Sequence, residues 1–181
     1  MPNKTYAGIG SRRIPSHQNK LLMAAGEKLD SLGYHLFSGG APGCDTVFED
    51  TSSSATIFLP WDGFNDRWVR ESNDCVEYLV DETVNLNAWE YVVNFHPNPG
   101  RLSPGAVKLM SRNTYQVLGP DLKSPVDFVL CWTTDGKDSG GTGQAIRIAR
   151  SKNIPVYNLN NSKSRTDFES FLNIAEFCSE I

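Results

Sequence analysis

The sequence predicts an α/β protein: a Rossmann-like, doubly wound, mainly parallel sheet with helices on both faces, in one domain over residues 1–181. Three observations predict it. Short apolar runs alternate with helical periodicities along most of the chain. Residues 126–132 (VDFVLCW) are apolar enough for a central strand covered on both sides. Three glycine-rich turns, Gly8-Ile9-Gly10-Ser11-Arg12-Arg13, Gly39-Gly40-Ala41-Pro42-Gly43 and Gly140-Gly141-Thr142-Gly143, each fall where a strand hands over to a helix. In a parallel sheet such turns share the carboxyl edge, where their N–H groups and helix N-termini surround one crevice suited to an anion.

The elements follow in order. Residues 6–10 read as the first strand. Pro15-Ser16 starts a helix with Ser16 as its N-cap, Leu21, Ala25, Leu29 and Leu32 as its buried stripe, and Gly33 as its left-handed terminator. Residues 34–38 form a second strand, and a short helix through Asp45, Val47, Phe48 and Glu49 follows the second glycine turn. Residues 55–59 form a third strand, with a loop through Trp61 after it. Residues 66–98 are the least readable part; Leu86, Trp89, Val92 and Val93 point to a helix that stops before Pro97. Ser103, Pro104 and Gly119 bound the next helix, with Val107, Met110, Thr114, Val117 and Leu118 facing inward. Arg112 and Asn113 lie off that stripe and need another explanation. After the strand at 126–132, the third glycine turn opens a helix through Ala145, Ile148 and Ala149. Residues 154–157 close the sheet, and a last helix covers 166–178.

Composition narrows the function classes. A net charge of −4 and a pI near 5.4 disfavour a nucleic-acid module, although Arg12, Arg13, Arg112 and Arg147 sit in or near the glycine turns. No run of about 18 apolar residues is present, so no membrane span is expected. Met1-Pro2-Asn3-Lys4-Thr5 lacks a signal-peptide pattern. Cys44, Cys75, Cys131 and Cys178 make neither a CxxC pair nor a zinc spacing, and read as reduced cytoplasmic thiols. No metal site and no cofactor are expected, and His17, His35 and His96 read as structural.

Each turn has a bland reading beside its functional one. The first fails the dinucleotide pattern G-x-G-x-x-G, because Arg13 stands where the third glycine is needed. It leaves Gly10, Ser11 and Arg12 either as phosphate ligands or as a structural turn with solvated arginines. The second offers Gly39 and Gly40 for close backbone approach. Asp45 there caps the helix or bonds a ribose hydroxyl, and Glu49 is a solvated glutamate or a catalytic carboxylate. The third is no P-loop, since Thr142 occupies the lysine position. Gly140, Gly141, Thr142 and Gly143 still present N–H groups and a hydroxyl to a phosphate. Trp61 and Trp132 each follow a strand end, where they stack on a base or pack in the core.

Taken together, Tyr6-Ala7-Gly8-Ile9-Gly10-Ser11-Arg12, Ser38-Gly39-Gly40-Ala41-Pro42-Gly43-Cys44-Asp45 with Phe48-Glu49, Arg112-Asn113 with Gln116-Val117-Leu118-Gly119, Cys131-Trp132-Thr133 and Gly140-Gly141-Thr142-Gly143-Gln144-Ala145 resemble the SLOG superfamily. That superfamily includes the DprA/Smf proteins and the LOG-type phosphoribohydrolases. The likeness is to compact, stand-alone DprA-like proteins of phages and bacteria, and covers nearly the whole chain. It implies a nucleotide or phosphoribosyl ligand at the carboxyl edge. Ser11, Arg12, Gly40, Gly141 and Thr142 would hold phosphate, Asp45 ribose, Trp61 or Trp132 the base, and Arg112 and Asn113 would close the pocket. The LOG pattern P-G-G-x-G-T-x-x-E is broken here by Gln144 and Arg147, so N-glycosidic hydrolysis would fall to Glu49 or Asp45. A non-catalytic sensor of a nucleotide signal, such as an ADP-ribose derivative, and DprA-like single-stranded DNA binding are the alternatives. The resemblance also implies a homo-oligomer.

Overall fold

The computed structural model of the chain describes residues 4–179, with side chains to residue 173. The expectation for the first three residues and the thiol of Cys178 therefore lie outside the described part. Six parallel strands form one sheet: β1 (Thr5–Gly10), β2 (His35–Ser38), β3 (Ala55–Leu59), β4 (Val76–Val80), β5 (Phe128–Trp132) and β6 (Val156–Asn158). Their spatial order is β4-β3-β2-β1-β5-β6. The chain winds outward from β1 to β4, then crosses back to lay β5 on the other side of β1. The strand order thus reverses between β1 and β5, and that reversal is where doubly wound sheets open a ligand crevice. Gly10 pairs with Trp132 in register, so the segments after β1 and β5 leave the sheet side by side.

Helices cover both faces. α1 (Ser16–Ser31), α2 (Cys44–Asp50) and α6 (Ser162–Ser179) lie on one, and α3 (Leu86–Phe95), α4 (Pro104–Leu118) and α5 (Gly140–Ser151) on the other. The first face is aromatic. Tyr6 stacks on Phe128 at 5.8 Å and meets Phe48 edge-on at 6.2 Å, pairs worth roughly 0.5–1.5 kcal/mol each beyond their burial. The second is mainly aliphatic, with Ile9, Val129, Ile146 and Ile148, and includes the rings of Phe37, Phe58 and Tyr115. β1 and β5 are buried between the two cores, as their uninterrupted apolar runs require.

Several local expectations are corrected. Pro15, not Ser16, occupies the N-cap of α1, and the helix starts on Ser16. Its buried stripe is Leu22, Ala25, Gly26 and Leu29, while Leu21 and Leu32 are half-buried. Gly33 does take the left-handed conformation, at φ 77°. β4 lies inside the segment that gave no strand signal, because an edge strand is half-exposed and keeps no continuous apolar run. Two 3-10 turns, Phe64–Asp66 and Val69–Glu71, precede it. α3 buries Ala88 and Val92 but leaves Leu86 and Val93 exposed. Ser103 caps α4 by accepting from the Ala106 N–H at 3.3 Å.

Candidate functional site

The first turn is fixed by three segments meeting at Gly10. The Ser11 N–H donates to the Trp132 carbonyl at 2.9 Å, and the Cys44 N–H donates to the Ser11 carbonyl at 3.1 Å. A Cβ on Gly10 would stand 2.5 Å from both Cys44 Sγ and the Trp132 oxygen, so only glycine lets β1, β5 and α2 close together. The Ser11 hydroxyl donates to the Arg13 carbonyl at 2.9 Å and lies 3.3 Å from Thr134 Oγ1. Arg12 and Arg13 are exposed.

The second turn is held by α4. The C-terminal half of α4, from Ser111 to its end, is buried all round despite its polar residues. Arg112 donates to the Gly39 carbonyl and, at 3.3 Å, to the Phe58 carbonyl, and it lies over the Phe64 ring. Its Nε has no partner. Burial pulls the Arg112 guanidinium down to about 10. Asp45 sits in the first turn of α2, where Gly43 takes the N-cap position. Its carboxylate accepts from the Ala41 N–H at 3.4 Å. Burial pushes Asp45 up to about 6, against the opposing pull of Arg112 and of neighbouring backbone N–H groups.

Glu49, one helical turn further on, faces elsewhere. It accepts from Arg67 at 3.0 and 3.2 Å and from the Tyr78 hydroxyl at 3.3 Å.

The third turn is the first turn of α5 itself, which begins on Gly140 at φ 61°. Ser139 stands at the N-cap, but its hydroxyl donates to Asp135 at 2.9 Å and does not cap the helix. The first turn of α5 contains no acidic residue. Asn113 Nδ2 donates to the Gly141 carbonyl at 3.1 Å and ties α4 to this end of α5.

Between these turns lies a cavity of about 340 Å³ at the carboxyl ends of β1 and β5. Of the expected site residues, Gly10, Ser11, Arg12, Asp45, Arg112, Asn113, Gly140, Gly141 and Thr142 line it together. Asp45 is its single carboxylate, facing two arginines. Gly39, Gly40 and Gly143 stand behind the wall. Gly39 holds Arg112, and Gly40 accepts from Asn65 at 3.0 Å. Gly143 gives its N–H to Ser139 at 2.9 Å. Glu49 and both tryptophans lie off the cavity. Trp132 is buried in the aromatic core, bordering a shallow groove with Arg12 and Arg13, and Trp61 packs edge-on against Phe64. Eight further residues line it: Ile9, Ala41, Leu109, Met110, Gln116, Thr133, Thr134 and Ser139. Leu109 and Gln116 recur with Arg112 and Asn113 at helical spacing, a signal that would have found them. The two threonines directly follow the strongest strand.

No family model matches the chain, and no curated protein matches it. Solved structures that share its fold include the following two. One is DNA processing protein A from Helicobacter pylori, described by its single-stranded DNA binding mode, with a TM-score of 0.59 and 14% identity over 99% of this chain and 81% of that one. The other is the Moco carrier protein of Chlamydomonas rheinhardtii, with a TM-score of 0.51 and 13% identity over 94% of this chain and 84% of that one. At these identities the likeness is one of fold.

Proposed function

We propose that the chain binds a nucleotide or phosphoribosyl ligand in the β1–β5 cavity, with phosphate at the N-terminus of α5. One observation carries this reading. The first turn of α5 lacks both a capping side chain and an acidic residue, and it faces a cavity that Arg12 and Arg112 make electropositive. In this reading Arg12 and the Thr142 hydroxyl complete the phosphate site, and Asp45 meets the ribose. The position at the strand-order reversal supports it. Neither tryptophan is placed to stack on the base, so the apolar wall of Leu109 and Met110 takes that role.

Hydrolysis of the N-glycosidic bond is the enzymatic form of the proposal, and Asp45 is the carboxylate for it. A carboxyl near 6 is suited to general-acid help at a leaving base. Glu49, engaged by Arg67 and Tyr78, is not.

The test is a panel of nucleoside monophosphates and ribose 5-phosphate, read by melting shift and calorimetry and followed by chromatography for free base. Expected is stabilisation by the phosphorylated compounds and none by the matching nucleosides. Release of base that rises as pH falls through 6 and disappears in Asp45→Asn supports the hydrolase. Intact ligand after tight binding favours the sensor. No shift with any phosphorylated compound rejects the proposal.

Single-stranded nucleic acid is the second reading. Arg12 and Arg13 lie exposed beside the cavity, and the fold neighbour from Helicobacter pylori is described as binding single-stranded DNA. Oligonucleotide binding that weakens steeply with salt, and more steeply than mononucleotide binding, would favour it.

A further inference from the structure

Arg112 also borders a second cavity, of about 360 Å³, on its other side. This one opens at the carboxyl ends of β3 and β4, over the opposite flank of α4. Its volume is that of a small-molecule site, commonly about 300–1,000 Å³. Its wall is aromatic and apolar: Phe58 and Tyr115 stack at 5.9 Å and 20°, with Leu79 beside them.

The polar groups are few and specific. Ser111 is 3% exposed and its hydroxyl has no partner, although it lines this cavity. Arg112, 7% exposed, keeps an unpartnered Nε. A buried donor without a partner costs about 1–3 kcal/mol; Ser111 lines this cavity alone, and its neighbour Arg112 lines both. Across from them, Asp81 Oδ2 accepts from the Tyr115 hydroxyl at 2.7 Å and from the Asn85 N–H at 2.9 Å. Asp81 Oδ1 enters no hydrogen bond among the described residues.

We propose that this cavity is a second small-molecule site, for an uncharged planar heterocycle of the nucleobase class. The stacked Phe58–Tyr115 wall suits a flat ring. The Ser111 hydroxyl and Arg112 Nε–H face ring or carbonyl acceptors, and Asp81 Oδ1 accepts from an amino or ring N–H group. Arg112 is already committed to the Gly39 and Phe58 carbonyls, and Asp81 and Lys108, which both line the cavity, offset each other's charge, so an uncharged ligand is favoured. The proposal does not depend on phosphate binding in the first cavity.

The experiment is an NMR titration of the protein with adenine, hypoxanthine, cytosine and uracil as free bases. Expected is saturable binding of at least one, with the largest amide shifts at Leu79, Val80, Ser111 and Tyr115. Ser111→Ala should weaken that binding about tenfold, the loss of one hydrogen bond to a buried group. Leu79→Trp should fill the cavity and abolish it. Should Leu79→Trp fail to fold, Ser111→Ala, which removes a single oxygen, decides alone. The proposal is overturned if no base binds at millimolar concentration. It is also overturned if the shifts fall on Gly140, Gly141 and Thr142, or if Ser111→Ala binds as tightly as the parent.

Discussion

Helices α2 and α5 both begin at a glycine turn on the carboxyl edge, and both contribute their first residues to the same cavity. They differ in what meets the positive end of each. α2 brings its own anion, Asp45, which lies in its first turn and folds back onto the Ala41 N–H. α5 brings none: its N-cap hydroxyl is turned away to Asp135, and its first turn is glycine, glycine and threonine. A helix N-terminus favours negative charge by about 0.3–1 kcal/mol when exposed. At α2 that preference is answered from within the chain. At α5 it is left for a ligand, so the cavity has one half already neutralised and one half that is not.

Four changes break or sharpen this contrast. The largest effect is expected from Gly43→Ala. Gly43 has φ 87°, and a Cβ there would overlap the Ser11 carbonyl, so the contact between α2 and the first turn must open. Strain and overlap together cost on the order of 2–4 kcal/mol, measurable as a lower denaturant midpoint at constant slope. An unchanged midpoint would show that the two turns are not locked to each other.

Next is the pH dependence of stability. Asp45 stands near 6 in the fold against an ordinary 3.8, so between those values the folded state holds a proton that the unfolded chain releases. Stability due to this group is full below pH 4, declines as pH rises from 4 to 6, and stays lower above that. The decline is on the order of 2–3 kcal/mol. In Asp45→Asn it should vanish from a urea-unfolding series. Persistence of the same slope would mean another group carries it.

Thr142→Asp would give α5 what α2 already has. It should stabilise the fold by about 0.3–1 kcal/mol through the helix dipole, while weakening ribose 5-phosphate at least tenfold, about 1.4 kcal/mol. A variant that is more stable and binds as before would remove α5 from the phosphate site. The smallest effect is expected from Ser139→Ala. Truncating a true N-cap costs about 1 kcal/mol, but this hydroxyl bonds an exposed aspartate instead. Less than about 0.5 kcal/mol should be lost, and a full-sized loss would mean that Ser139 caps α5 in solution.

The sequence made the central strands and the glycine turns legible, because β1 and β5 are buried on both faces and their residues have little choice. It hid β4, whose Val76-Glu77-Tyr78-Leu79-Val80 is only half-buried at the sheet edge. It found only part of what α4 buries: Thr114, Val117 and Leu118 are buried as expected, and Val107 and Met110 only half so. That helix lies between the second core and two cavities, so Ser111, Arg112, Asn113 and Gln116 are buried along with Val117, and periodicity of apolar residues cannot find them. The two candidate carboxylates of α2, Asp45 and Glu49, were indistinguishable by spacing alone. What separates them is Arg67 and Tyr78, which come from the poorly readable segment and draw Glu49 away from the cavity.

The most direct measurement is an amide NMR titration with ribose 5-phosphate, on the parent and on Thr142→Asp. The account predicts that the largest shifts in the parent fall on Gly140, Gly141 and Thr142, with Ser11 next, and that they disappear in the variant. Saturable binding whose shifts fall elsewhere, or which survives Thr142→Asp unchanged, would contradict it.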